Sequence, residues 1–341
     1  MNARWVLARR PVGLVADSDF RLEEVPVPSL SDGQFLVQVI YLSLAPVMAQ
    51  YVLDGGVIEK PVAIGETMRG RGVGVVVSSR HAGFVVGDVV HGPFGWQKFA
   101  VSDGKGLVFK MRDWAGPISH GLGALGLTGF TAYFGLFDVA RVRAGDTLLV
   151  SGAVGGVGSV VGQIARIAGA DPVGIAGSDA KCGIATESLG YRAAINYNSE
   201  DVRSRIAALA PGGIDVYFDN VGGDILEAAI DNMANDGRIA ICGSISQYLA
   251  TGSRKGPANY FNIVYRNVKM QGFHIYSYAN RFAEAEARIA RWIRDGRLAP
   301  REDRIYGLES MPAALQRLFA SATTGKQVVQ IADDTVSVGV R

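Results

Sequence analysis

The sequence predicts an α/β protein in two parts, a β-rich first domain and a doubly wound parallel sheet. Three observations lead there. The 341 residues include 44 glycines and are 48% hydrophobic but only 19% charged, which suits a folded chain with many tight turns and not a disordered one. The length exceeds what one small core needs and is comfortable for two domains. Near residue 120 the pattern changes from short strand-like runs to an alternation of strands and helices.

Before residue 120 the runs FLVQVIYLSL (35–44), GVGVVVSS (72–79), GDVVHG (87–92) and WQKFAV (96–101) are separated by polar or glycine turns such as SDGQ (31–34). Short strands at this spacing predict a compact barrel-like or sandwich-like domain. Beyond it, TLLVSG (147–152), PVGIAG (172–177), AAINY (193–197), IDVYFDN (214–220) and GRIAICG (237–243) read as buried strands. Helices are expected between them at 157–168, 199–210 and 224–233, the order of a parallel sheet with helical crossovers. A longer helix within ANRFAEAEARIARWIRDGRL places Phe282, Ala285, Ile289, Trp292 and Ile293 on one face. The tail MPAALQRLFASATTGKQVVQIADD reads as one helix and one strand. The expected domains are 1–122, 123–298 and 299–341, the last returning to complete the first.

Composition narrows the partners. The net charge is +2 and no Lys or Arg tract exists, so nucleic acid finds no basic stripe to hold it. The basic start MNARWVLARRPVG has no apolar core for a secretory signal, and no run approaches the roughly 20 apolar residues of a membrane span. Cys182 and Cys242 are too few for a disulfide framework, so reduced thiols and a cytoplasmic location are expected. His81, His91, His120 and His274 are scattered and no Cys–Cys or His–Glu ligand spacing appears. No metal is expected, and without a Lewis acid alcohol oxidation loses its most accessible route.

The stretch most loaded with chemistry is Gly152-Ala153-Val154-Gly155-Gly156-Val157-Gly158, between a buried strand and a helix whose Val157, Val160, Val161, Ile164 and Ala168 form an apolar stripe. Glycines at such a turn let the backbone approach an anion, and the amides of the helix start favour negative charge. The natural anion is a dinucleotide pyrophosphate, with Gly155, Gly156, Val157 and Gly158 around it. The end of the second strand selects the dinucleotide. Ala176 and Gly177 occupy the place where NAD enzymes carry an acid, leaving room for a 2′-phosphate that Ser178 would hydrogen-bond and Lys181 neutralise. In a competing reading Asp179 grips the ribose and selects NAD. In the plainest one Lys181 is only a solvated residue of the first helical turn.

These residues resemble the zinc-independent medium-chain dehydrogenase/reductase superfamily, in the branch of the prostaglandin, leukotriene, alkenal and curcumin reductases. The resemblance runs over nearly the whole chain. It is carried by LGLTGFTAYFGL (125–136), SGAVGGVGSVVGQIARIAG (151–169), VGIAGSDAK (173–181), YFDNVGG (217–223), CGSISQY (242–248) and, most specifically, YFNIVYRNVKMQGF (260–273). It implies a Rossmann-type doubly wound sheet plus a GroES-like β-rich domain, with a cleft joining them. It also implies NADP(H) as cofactor and reduction of the C=C bond of an α,β-unsaturated carbonyl.

Position by position, Ser178 and Lys181 correspond to contacts of the 2′-phosphate, with Tyr197 nearby, and Gly155, Val157 and Gly158 to the pyrophosphate turn. Asn220 lies beside the cofactor, and Tyr248 corresponds to the tyrosine at the nicotinamide ribose. Thr131 and Tyr133 belong to the same cleft, while Phe273 and Ile275 match the strand edge presented to the nicotinamide. The branch usually carries a motif like LSLDPYMR, where this chain has Leu42-Ser43-Leu44-Ala45-Pro46-Val47-Met48-Ala49. Ala45, Val47 and Ala49 there make the substrate side less polar. Thr323 replaces the usual Asn before Gly325-Lys326, weakening one cofactor contact.

Reducing an activated alkene asks for two carbons held close and a hydrogen-bond donor at the oxygen that gains enolate charge. Tyr248, with the ribose 2′-hydroxyl, is the candidate for that network; the alternative is that it only orders the ribose. Val47, Tyr51, Trp96, Tyr133 and Tyr260 are candidate walls of an apolar pocket, with Tyr276 a further aromatic, although such an aromatic on its own is more often plain core. Two rivals stand beside this reading, an NADPH:quinone oxidoreductase and a non-catalytic NADPH-binding sensor or scaffold. A homodimer, pairing through edge strands near 268–275, is the expected assembly.

Overall fold

A computed structural model describes residues 1–53, 60–112, 116–248 and 256–334. The chain divides into two compact units, Met1–Gly123 with Glu302–Arg341, and Ala124–Arg301. The divisions fall after residues 123 and 301, where the sequence placed them after 122 and 298.

The first unit is built on a seven-stranded sheet. Its main path runs Glu302–Tyr306, Lys326–Gln330, Phe35–Ser43, Gly72–Ser79, Val89–Gly92, Phe109–Lys110, and Phe99–Ser102 also pairs with Phe35–Ser43. Asn2–Leu7 and Phe20–Val25 form a separate antiparallel pair. Phe35–Ser43 starts with an alternation of buried and half-buried residues and is buried throughout its second half, as a central strand covered on both faces must be. The tail strand Lys326–Gln330 joins this sheet antiparallel to it, Val328 opposite Ser43. One core gathers Phe35, Leu42, Met48, Met68, Trp96, Met311 and Val329, and a second gathers Tyr41, Val73, Met111, Ile118 and Val328.

The second unit carries a six-stranded parallel sheet in the order Ala193–Asn196, Asp171–Ala176, Thr147–Ser151, Ile214–Asp219, Met233–Ile241, Lys269–Gly272. Thr147–Ser151 is buried from its second residue on, the mark of a strand sandwiched between helical layers. Helix Gly158–Ile167 follows it with Val160, Val161 and Ile164 buried; burying each such side chain contributes about 1.5–3 kcal/mol. Helix Phe282–Arg294 buries Phe282, Ala285, Ile289 and Trp292, with Ile293 half-buried. Helix Asp179–Ser188, whose first turn the sequence implies at Lys181 but whose extent it does not mark, buries only Ala185 of its ten residues and has a glycine within it. Its signal is the cap: Ser178 accepts from the Lys181 amide, and Asp179 opens the first turn.

Candidate active site at the carboxyl ends of the parallel strands

The strand order of the second unit reverses between Thr147–Ser151 and Ile214–Asp219. In open α/β sheets, ligands bind at such a reversal, beyond the carboxyl ends of the strands. The glycine loop, Ser178, Tyr197, Asn220, Tyr248 and Phe273 all follow those ends. The fold therefore brings to one edge of one sheet the residues singled out as cofactor contacts in this unit.

The loop begins with Gly152 at φ +62°, a left-handed conformation that side chains disfavour. A Cβ at Gly158 would lie 2.2 Å from the Gly152 carbonyl oxygen, so only glycine permits this crossing. Helix Gly158–Ile167 opens without a side-chain cap at Val157, and among the described residues no backbone carbonyl accepts from the Gly156, Val157 or Gly158 amide. Donors in this state, at the positive end of a ten-residue helix, fit a pyrophosphate.

At the next strand end, a Cβ on Gly177 would lie 2.8 Å from the Tyr197 hydroxyl. Tyr197 is 42% exposed, so its ring is available to cover an adenosine. The Ser178 oxygen accepts from the Lys181 amide at 3.3 Å, which ties the expected phosphate hydroxyl to the turn that carries the expected phosphate cation. Asp179, the rival ribose ligand, accepts at Oδ1 from Asn196 Nδ2.

Two residues at the reversal point escaped notice in the sequence. The Ser151 hydroxyl donates to Asp219 Oδ1, and the Asn220 amide donates to the Ser151 oxygen at 2.9 Å. Asn220 Nδ2 donates to the Ser151 carbonyl at 2.8 Å. Asp219 is fully buried and Oδ1 also accepts from the Tyr217 hydroxyl and the Val221 and Gly222 amides. This knot locks the Asn220 loop to the start of the glycine loop. An acid at the end of an apolar strand, as in YFDN, was its only sequence signal.

Tyr248 ends a short helix, Ile245–Tyr248, and its oxygen accepts from the Ser244 amide at 3.4 Å. Gly243 makes this possible, since a Cβ there would stand 3.0 Å from that oxygen. Beside it the Cys242 thiol is pushed up to about 12 by burial and then by the Asp219 carboxylate. The Phe273 amide donates to the Ile241 carbonyl at 3.4 Å, and its ring meets Phe218 edge-on. Ile275 opens the turn that follows.

The pocket candidates scatter. Trp96 is fully buried, packed at 5.3 Å from Phe20 in the core of the first unit. Tyr133 is likewise a core residue of the second unit, its hydroxyl donating to Glu284 at 3.0 Å to tie two helices. Neither presents a face outward, and each packs within its own unit. Thr131 bonds the Leu127 carbonyl within its own helix. Tyr51 is buried under the Arg69 guanidinium and Val47 is half-buried beside the same core. Tyr260 is 60% exposed. Thr323 is buried in the first unit, three residues before its tail strand.

Known proteins carry the same plan. Residues 3–109 match a family described as the N-terminal domain of oxidoreductase, and residues 156–291 one described as zinc-binding dehydrogenase. The chain is 38% identical over 338 residues to the NADPH-dependent curcumin reductase of Escherichia coli (strain K12), covering 98% of each. This chain belongs to the medium-chain dehydrogenase/reductase family. Within it the chain sits in the curcumin and prostaglandin reductase branch, with 37% identity to prostaglandin reductase 1 of Bos taurus over 96% of this chain and 98% of that one. The crystal structure of CurA from Vibrio vulnificus in complex with NADPH superposes with a TM-score of 0.90 at 38% identity, covering 97% and 99% of the two chains. The family description mentions zinc, yet among the described residues no group of three or more His, Cys, Asp or Glu could hold a metal.

Proposed function

We propose that this protein reduces the C=C bond of α,β-unsaturated aldehydes and ketones with NADPH, by hydride transfer to the β-carbon and without zinc. One observation carries the cofactor half. Uncapped amides at Gly156, Val157 and Gly158 lie at the strand reversal, and the next strand end offers Ser178 and Lys181 where a carboxylate would select NAD. The names of the curcumin, prostaglandin and 2-alkenal (NADP+-dependent) reductases among its relatives support the substrate half.

The bound reduced nicotinamide supplies the hydride. The chain's own residues bind and orient. The loop amides hold the pyrophosphate, Ser178 and Lys181 the 2′-phosphate, and Tyr197 covers the adenosine. Asn220, fixed through Ser151, and the Phe273–Ile275 edge would hold the cofactor's other end. A phenol at Tyr248 suits an oxygen that gains enolate charge, as donor of a hydrogen bond absent from the ground state. Water would then protonate the α-carbon, the hydroxide left behind taking a proton from solvent.

The assembly proposed is a cytoplasmic homodimer. Lys269–Gly272 is an edge strand with all four residues exposed, and Tyr260, Phe261, Val264 and Tyr265 beside it are exposed as well. No described helix is long and apolar enough to cross a membrane.

Turnover on an enone, an enal and a simple quinone at equal NADPH tests this function. Faster turnover of the enone and enal supports it; exclusive quinone reduction favours the quinone oxidoreductase, and tight NADPH binding with no oxidation favours a sensor. Replacing Tyr248 by Phe is expected to lower turnover by about 10²-fold at unchanged NADPH affinity. Unchanged turnover would leave Tyr248 only the task of ordering the ribose.

A further inference from the structure

Asp179 stands one residue beyond the Ser178 cap, where a carboxylate could reach a ribose hydroxyl. It is already engaged. Asn196, the last residue of the neighbouring strand, lies opposite Ala176 in the ladder and donates Nδ2 to Asp179 Oδ1 at 2.7 Å. Asn196 is 6% exposed, and its side-chain orientation is fixed from its other end, because the Asn198 amide donates to its Oδ1 at 3.1 Å. The Asn196 amide in turn donates to Glu200 at 2.8 Å, and Asn198 Nδ2 donates to the Gly177 carbonyl at 2.8 Å. Residues 196–198 are thus stitched to residues 177–179, with a single side-chain amide aimed at the carboxylate.

We infer that Asn196 is a positioning residue that sets cofactor preference by tying the Asp179 carboxylate to the strand Ala193–Asn196. Held there, the carboxylate neither grips a ribose 2′-hydroxyl nor turns its charge on a 2′-phosphate at Ser178 and Lys181. Released, it does both, favouring NADH and opposing NADPH. The inference rests on the NADPH reading above and adds the device that silences a nearby acid.

The test is a double-mutant cycle on cofactor binding, which needs no substrate. Dissociation constants for NADPH and NADH are measured by fluorescence titration for the full chain, Asn196→Leu, Asp179→Ala and the double variant. Asn196→Leu is expected to lower the preference for NADPH at least tenfold, through weaker NADPH and tighter NADH binding. In the Asp179→Ala background the same substitution is expected to change it less than twofold. An unchanged preference in Asn196→Leu, or an equal fall without Asp179, overturns the inference. Should Asn196→Leu not fold, Asp179→Ala decides alone: a preference within twofold of the parent supports a carboxylate already silenced, and a change above fivefold overturns it. A parent chain that binds NADH more tightly than NADPH instead brings down the cofactor reading itself.

Discussion

The Ser151 hydroxyl stands 3.0 Å from Asp219 Oδ1, bridging the ends of the two strands between which the sheet order reverses. The same oxygen of Ser151 receives the Asn220 amide, so one hydroxyl both satisfies a buried carboxylate and holds the Asn220 loop. Ser151→Ala removes both bonds and leaves a buried amide without its acceptor. The expected loss is about 1–3 kcal/mol of stability, with NADPH binding weakened about tenfold, or 1.4 kcal/mol. Urea unfolding and a cofactor titration read the two effects separately.

Gly158→Ala puts a methyl 2.2 Å from the Gly152 oxygen and 2.8 Å from the Ala153 Cα, all of it main chain that cannot swing aside. Destabilisation by about 1–3 kcal/mol is expected, together with loss of NADPH binding, since the amides lose their common focus. Gly212→Ala is the control: a Cβ there meets nothing within 4 Å, and stability should stay within about 0.5 kcal/mol. Equal melting temperatures for the two variants would contradict this account of the loop.

The substrates proposed are soft electrophiles that alkylate thiolates, which makes the state of the two cysteines matter. Burial pushes the Cys242 thiol up to about 12, and burial followed by Glu200 and Asp179 raises that of Cys182. Both stay protonated at neutral pH, and the thiol is a poor nucleophile. Incubation with an enone at pH 7.5 without cofactor should therefore leave the intact mass unchanged at both positions. An adduct mapped to Cys242 would show that the thiol ionises in spite of its surroundings.

Lys326, on the buried tail strand, donates from Nζ to the Leu44 carbonyl at 2.6 Å, and burial lowers its pKa to about 8 while Glu302 opposes the shift. Between pH 8 and the ordinary value of 10.5 the unfolded chain binds the extra proton, so this residue's contribution to stability rises with pH. The full change is about 3 kcal/mol. Relative to wild type, Lys326→Met is expected to be most favoured below pH 8 and to lose about 3 kcal/mol of that advantage by pH 10.5. Denaturant titrations of both proteins at three pH values check it; a constant difference would mean that Lys326 does not titrate in this window.

Much of this was legible in the residues. TLLVS followed by four glycines and an apolar helical stripe announced both a buried strand and the loop after it, because period and glycine spacing are local properties. Trp96 and Tyr133 are harder to read, for the opposite reason. An aromatic ring reads the same in a core and in a pocket wall, and only the packing around it tells them apart. Helix Asp179–Ser188 lacked the apolar stripe that betrays most helices, its cap being a stronger cue than its face. Ser151, Asp219 and Asn196 act through pairings 68 and 17 residues apart, a separation that no local pattern encodes.

The most direct measurement follows the hydride itself. With an enone and NADPH deuterated at the transferring position of nicotinamide C4, the saturated ketone is expected to carry deuterium on its β-carbon, one equivalent for each NADPH consumed. Deuterium on the carbonyl carbon of an allylic alcohol, or consumption of NADPH with the alkene left intact, would contradict reduction at the C=C bond.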